Sequence, residues 1–162
     1  MPEPLRAAVV TVSDSVFRGE RRDASGPAVA DVLKKSGWTI ADTRVVADDQ
    51  AVIAATLREL SGHGIQAIFT TGGTGLAARD VTPEATRKVI TREVPGLGER
   101  IRQEGARTTP TAVLSRGLAG VCGVTLILNL PGSPAGAVES LNVVLPVLQH
   151  AVDLLAGRTS HS

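Results

Sequence analysis

A chain of 162 residues, 43% hydrophobic and 20% charged, is long enough for one packed domain and short for two. Seventeen basic residues against sixteen acidic ones give a net charge of +1, scattered along the chain, and aromatics make up 2% with no Tyr, so neither a basic nucleic-acid footprint nor a base-stacking platform is encoded. The single Cys122 excludes an internal disulfide framework and a thiolate metal cluster, and reads as a small core residue.

The N-terminal "MPEPLRAAVV" lacks the basic stretch, long apolar run and cleavage site of a leader, and no apolar stretch reaches membrane-spanning length. A cytoplasmic protein without membrane association is expected. Apolar runs rich in β-branched residues predict strands at 5–12, 39–46, 66–71 and 124–130. Helical spacing predicts a helix from Pro27 to Ser36, with Val29, Val32 and Leu33 on one face and Gly37 as its stop. The pattern repeats from Val52 to Leu60 with Ile53, Leu57 and Leu60. Thr82 before Pro83, and Ser133 before Pro134, read as N-caps followed by first-turn prolines. A short helix is expected over 96–105, and an irregular or hairpin-like excursion over 115–123. Pro146 should divide or kink the apolar helical stretch 135–155, and residues 157–162 should fray. Alternating strand and helix predicts a single three-layer α/β domain over 1–162, ordered over about 5–156, with a mostly parallel sheet and helices on both faces.

In such sheets ligands gather beyond the carboxyl ends of the strands. Three predicted strands run into small, polar loops there: "SDS" at 13–15, "GGTG" at 72–75 and "PGSP" at 131–134. Each is rich in backbone donors that can approach phosphate, and each also has an ordinary reading as turn punctuation or a helix cap. Neither a Walker A string nor the dinucleotide-binding G-x-G-x-x-G spacing after the first strand is present. Asp48 and Asp80 follow strand ends. Carboxylates beside phosphate repel it unless a cation lies between them, and Mg²⁺ commonly uses one or two carboxylates together with substrate phosphates. The competing roles are an N-cap of the helix near 50–60 for Asp48 and a solvated loop charge for Asp80. Arg79 and Arg116 are candidate phosphate contacts, or merely solvated. His63, His150 and His161 are dispersed and suggest neither a base nor a metal site.

The strings "TVSDS", "FRGERRDASG", "TTGGTG", "RDVTPEAT", "PGLGERIR", "LSRGLAGV" and "TLILNLPGSP" together resemble, in order and over nearly the whole chain, the molybdenum-cofactor biosynthesis family that includes the MogA and MoaB proteins and the G domain of gephyrin. The resemblance implies a molybdopterin-binding α/β fold, usually trimeric, and adenylyl transfer from ATP to molybdopterin with Mg²⁺ and release of pyrophosphate. It also implies a molybdenum-insertion protein as a candidate partner. The family's acidic pair maps onto Asp48 and Asp80, as catalytic residues and metal ligands; Ala47 stands where many members have proline. Gly72, Gly73, Thr74 and Gly75 then cradle nucleotide or pterin phosphates, and Ser13, Asp14, Ser115, Gly132 and Ser133 are candidates for the remaining substrate contacts. Asp14 alternatively accepts from a pterin amino group. A phosphate nucleophile is already charged, so the reaction rests on positioning and charge neutralisation without a strong general base. A non-catalytic pterin carrier, or a nucleotide-binding protein with no pterin, are the competing readings.

Overall fold

The computed structural model describes residues 3–158. Its elements are β1 (Arg6–Val12), α1 (Asp14–Phe17), α2 (Ser25–Lys35), β2 (Thr39–Val46), α3 (Gln50–Ser61), β3 (Ala67–Thr71), α4 (Thr82–Arg87), β4 (Arg92–Glu93), α5 (Pro95–Ala106), a 3-10 turn (Pro110–Leu114), β5 (Ala119–Cys122), β6 (Thr125–Leu130) and α6 (Pro134–Leu155). One sheet runs in the order β2-β1-β3-β6-β5-β4. β1 pairs in parallel with β2 and β3, and β3 with β6; β5 folds back antiparallel on β6, and β4 on β5.

Parallel strands covered on both faces need continuous apolar sequence, and β3 and β6 are buried at every position. The two-residue period of a strand then sends alternate side chains into different layers. Ala7, Val9, Phe69 and Leu128 meet Leu33 of α2, Ile101 of α5 and Leu141 and Leu148 of α6. Ala8, Val10, Ile68 and Ile127 meet Ile53 and Leu57 of α3 and Ala85 of α4. Trp38 stands edge-on to Phe69, with centroids 6.0 Å apart and planes at 84°, an arrangement that aromatic quadrupoles favour. The expected three layers and mostly parallel sheet are thus observed. The excursion over 115–123 takes its hairpin-like form, because β5 pairs with β6. Cys122 is half-buried and packs against the second of these layers.

Pro146 does not divide α6, which is continuous from Pro134 to Leu155. Proline removes one intrahelical hydrogen bond, whereas Leu141, Val144, Leu148 and Val152, buried on both sides of it at helical spacing, hold both halves against one core. By length and a mean hydropathy of 1.2, α6 also meets the composition of a membrane span, contrary to the expectation that no stretch does. Its buried side chains are core residues of this domain. Thr82 is not an N-cap: α4 begins at Thr82 with Val81 in the cap position, and the Thr82 hydroxyl donates instead to the Gly72 carbonyl at 2.9 Å. The expected frayed end falls largely on residues 159–162, outside those described.

Candidate active site

The carboxyl ends of β1, β2, β3 and β6 open into one cleft of about 610 Å³. Ser13, Asp14, Asp48, Gly72, Gly73, Asp80, Gly132 and Ser133, eight of the positions singled out in the sequence, line it together. Thr74, Gly75 and Ser115 lie outside the lining. Thr74 is buried, and the Thr74 and Gly75 carbonyls both accept from Arg116, at 2.8 Å each. The Ser115 hydroxyl accepts from its neighbour Gly117 N–H at 3.2 Å.

Asp14 and Asp48 are locked to each other across the ends of β1 and β2. The Asp48 N–H donates to Asp14 Oδ1 at 2.9 Å, and the Asp14 N–H donates to Asp48 Oδ2 at 3.0 Å. Asp48 is free for this because Asp49 takes the cap of α3, accepting from Val52 N–H at 3.0 Å. Asp48 Oδ1 accepts no hydrogen bond among the described residues and lies beside Gly73, where a Cβ would stand 3.3 Å from it. Burial pushes the Asp48 carboxyl above the ordinary range; the Asp14 N–H opposes this, the Asp14 and Asp80 charges add to it, and Arg79 lowers it.

The glycines serve close approach more than donation. Gly72 has φ +94°, its N–H donates to Leu130 O at 3.1 Å, and any Cβ there would collide with Val12 O. Its N–H is therefore spent in joining β3 to β6, against the expectation that every glycine in this loop offers a donor. Gly132 crosses it so closely that a Cβ on Gly132 would lie 3.3 Å from Gly72 Cα. Gly73, with φ +70°, turns under Thr82, whose N–H donates to Gly73 O at 3.1 Å. The N–H groups of Gly73, Thr74 and Gly75 meet no acceptor among the described residues. Asp80 is half-buried; its Oδ2 accepts from Ala77 N–H at 3.1 Å, leaving Oδ1 uncommitted among the described residues. Ser133 caps α6 as expected, accepting from Gly136 N–H at 3.1 Å, so the positive end of a 22-residue helix also borders the cleft.

Sequence reading missed the segment from the end of α1 to the first residue of α2, which brings Arg21, Arg22, Asp23 and Ser25 to the cleft. Asp23 ties this loop down, accepting from Thr11 Oγ1 at 2.8 Å and from Gly26 N–H at 3.1 Å. Ser25 and Thr71 hydroxyls lie 2.9 Å apart. The available signal was basic residues within "RGERRDASG", immediately beyond a strand end. Arg79 lines the cleft, whereas Arg116 does not. His63 and His150 are exposed and line no part of the cleft; His161 lies outside the described residues.

Carboxylates, exposed guanidiniums, unpaired backbone N–H groups and a helix N-terminus converging past parallel strands define an α/β protein that handles a phosphorylated ligand through electrostatics and positioning. The chain belongs to the family described as a probable molybdopterin binding domain, whose model matches residues 8–150. It is 37% identical over 158 residues to a molybdopterin adenylyltransferase of Helicobacter pylori, covering 96% of this chain and 90% of that one. It is 40% identical over 163 residues to the molybdenum cofactor synthesis protein cinnamon of Drosophila melanogaster, covering 98% of this chain but spanning only 27% of the fly protein. The crystal structure of the molybdopterin biosynthesis enzyme MoaB from Thermus thermophilus superposes with a TM-score of 0.90 at 53% identity, covering 94% of this chain and 97% of that one.

Proposed function

We propose that this protein is a molybdopterin adenylyltransferase, taking ATP and molybdopterin to adenylyl-molybdopterin and pyrophosphate. The observation that carries the reading is the pair Asp48 and Asp80: each presents a carboxylate oxygen with no hydrogen-bond partner among the described residues, in the cleft that holds the glycine turn and the α6 N-terminus. The names of relatives such as the Helicobacter pylori protein support the same chemistry.

In this reading the terminal phosphate of molybdopterin attacks the α-phosphorus of ATP; the bond to the bridging oxygen breaks, and pyrophosphate leaves with its electron pair. The free N–H of Gly73, the first turn of α6 and the guanidiniums of Arg21, Arg22 and Arg79 orient the phosphates. Asp14 holds Asp48 in place and keeps its second oxygen available for a donor on the pterin. Asp48 and Asp80 would hold Mg²⁺, a hard ion for which one or two carboxylates are the usual protein contribution. Held there, the ion would supply neutralisation of the charge that accumulates on the transferred phosphoryl group.

We further propose a cytoplasmic homotrimer that hands its product to a molybdenum-insertion protein. Purified protein incubated with ATP, Mg²⁺ and molybdopterin should form adenylyl-molybdopterin, followed by chromatography. Molybdopterin binding without product, under conditions where an authentic adenylyltransferase turns over, would replace this reading with that of a carrier.

A further inference from the structure

Asp80 closes a loop, residues 74–80, whose stretch Leu76–Arg79 is exposed and belongs to no helix or strand. Local bonds fix only its tip: Asp80 N–H donates to Ala77 O at 2.9 Å, and Ala77 N–H donates to Asp80 Oδ2 at 3.1 Å. Thr82 ties the base of the loop to the Gly72 and Gly73 carbonyls, and the tip itself is held by Arg116, 36 residues away in sequence from Asp80. Its N–H donates to Thr74 O at 2.8 Å, its Nε to Gly75 O at 2.8 Å and its Nη2 to Asp80 O at 2.8 Å. Nη1 pairs with Glu84 in the first turn of α4. The pair holds Glu84 below and Arg116 above their ordinary ranges, the side-chain hydrogen bond between them being the main cause.

Arg116 is itself anchored from α5. Arg102 Nη1 donates to the Gly117 carbonyl at 2.7 Å and to the Ser115 carbonyl at 3.3 Å, gripping the chain on either side of Arg116. The guanidinium thus spans both ends of the glycine and aspartate loop and is absent from the cleft lining. A planar fork suits this task, because three donor directions meet three fixed acceptors at once, whereas a lysine ammonium is a single point on a flexible stem.

We propose that Arg116 is a positioning residue for Asp80: it touches no substrate and acts by holding the Asp80 backbone where the free carboxylate oxygen faces the cleft. This rests on the adenylyltransferase reading for its kinetic test, but not for its structural one. Because misplacement by about 1 Å can cost a hundredfold in rate, Arg116→Ala should lower kcat by about a hundredfold, and Arg116→Lys by about tenfold. Molybdopterin affinity by calorimetry should stay within about threefold of wild type in both, since uniform binding is untouched. In an Asp80→Asn background, adding Arg116→Ala should lower kcat by less than about threefold further, because residues that act as one unit are not additive. Hydrogen exchange within 74–80 should accelerate in Arg116→Ala while exchange in β3 stays unchanged.

A full further hundredfold loss on the Asp80→Asn background would overturn the proposal in favour of a general structural role. Parallel loss of molybdopterin affinity would overturn it in favour of a substrate contact. If the wild-type protein forms no product, the functional reading fails while the exchange measurement still decides: unaltered exchange over 74–80 in Arg116→Ala, or in the milder Arg116→Lys, overturns the clamp.

Discussion

Asp14 and Asp48 each accept the backbone N–H of the other, at 2.9 and 3.0 Å, so two carboxylates that repel one another are held side by side at the mouth of the cleft. The arrangement costs stability. Burial raises the Asp48 pKa, and a folded-state value above the unfolded one means that the native state binds the proton more tightly. The corresponding stability is fully present below the unfolded pKa and is lost as pH rises through the folded pKa. At neutral pH, therefore, ionised Asp48 destabilises the fold. Asp48→Asn retains an oxygen for the Asp14 N–H and removes the charge. Its melting temperature at pH 7 should exceed that of wild type by about 1–3 °C, and the advantage should shrink near pH 4, while turnover falls at least about a hundredfold. Thermal scans at both pH values check this; a lower melting temperature for the variant at pH 7 contradicts it.

Burial raises the Asp48 pKa, and the Arg79 charge, after the Asp14 N–H, offsets part of that rise. Asp48 must be ionised to hold Mg²⁺, so its protonation sets an acid limb in the pH profile of kcat/KM. Arg79→Gln removes the opposing cation, and that limb should move to higher pH. Comparing the half-activity pH, instead of the plateau, separates this effect from any loss of phosphate contact. No movement, or movement to lower pH, would show that Arg79 does not act on Asp48.

Asp80→Asn preserves the acceptor for Ala77 N–H and removes the charge. Turnover should fall by about a hundred- to a thousandfold, as removal of one electrostatic stabiliser commonly does. Molybdopterin affinity should survive, and chelation of Mg²⁺ from the wild-type protein should reproduce this split between binding and turnover. Near-normal rates in the variant would return Asp80 to the status of a solvated loop charge.

Gly72→Ala tests the crossing of strand ends. The position has φ +94°, and the added Cβ would meet Val12 O, so both backbone strain and overpacking oppose it. A loss of about 2–4 kcal/mol is expected from the urea midpoint at unchanged slope. A loss below about 1 kcal/mol would mean that the two loops can part without cost.

Trimer formation is checked by light scattering at micromolar concentration. Val147 and Leu154 of α6 are 51% and 50% exposed in the single chain, surface that association could cover. The expected mass is three times that of the 16.7 kDa chain, and the monomer mass refutes the assembly.

What the sequence determined by itself was whatever depends on neighbours along the chain or on a burial period. The strand Ala67–Thr71 was legible because a strand buried on both faces must be apolar or neutral throughout. Ser133 was legible as a cap because its acceptor reaches an N–H only three residues on. The cleft's floor was legible for the same reason: Ser13 and Gly72 directly follow strands, and Gly132 comes two residues after one. Local chemistry left other positions degenerate. Asp48 and Asp49 are equally able to cap α3, and only the approach of Asp14 from the adjoining strand end assigns the cap to Asp49. Thr82 before proline reads as a cap, yet folding places the Gly72 carbonyl, ten residues back, within reach of its hydroxyl. Arg116 was picked out in the sequence as a phosphate contact or a solvated charge, and neither describes it: its partners Gly75, Glu84 and Asp80 lie 41, 32 and 36 residues away, and a guanidinium carries no mark of whether it will meet phosphate or carbonyl oxygen. Only the tertiary fold, in which Arg102 of α5 holds the Ser115 and Gly117 carbonyls on either side of it, brings Arg116 to those oxygens.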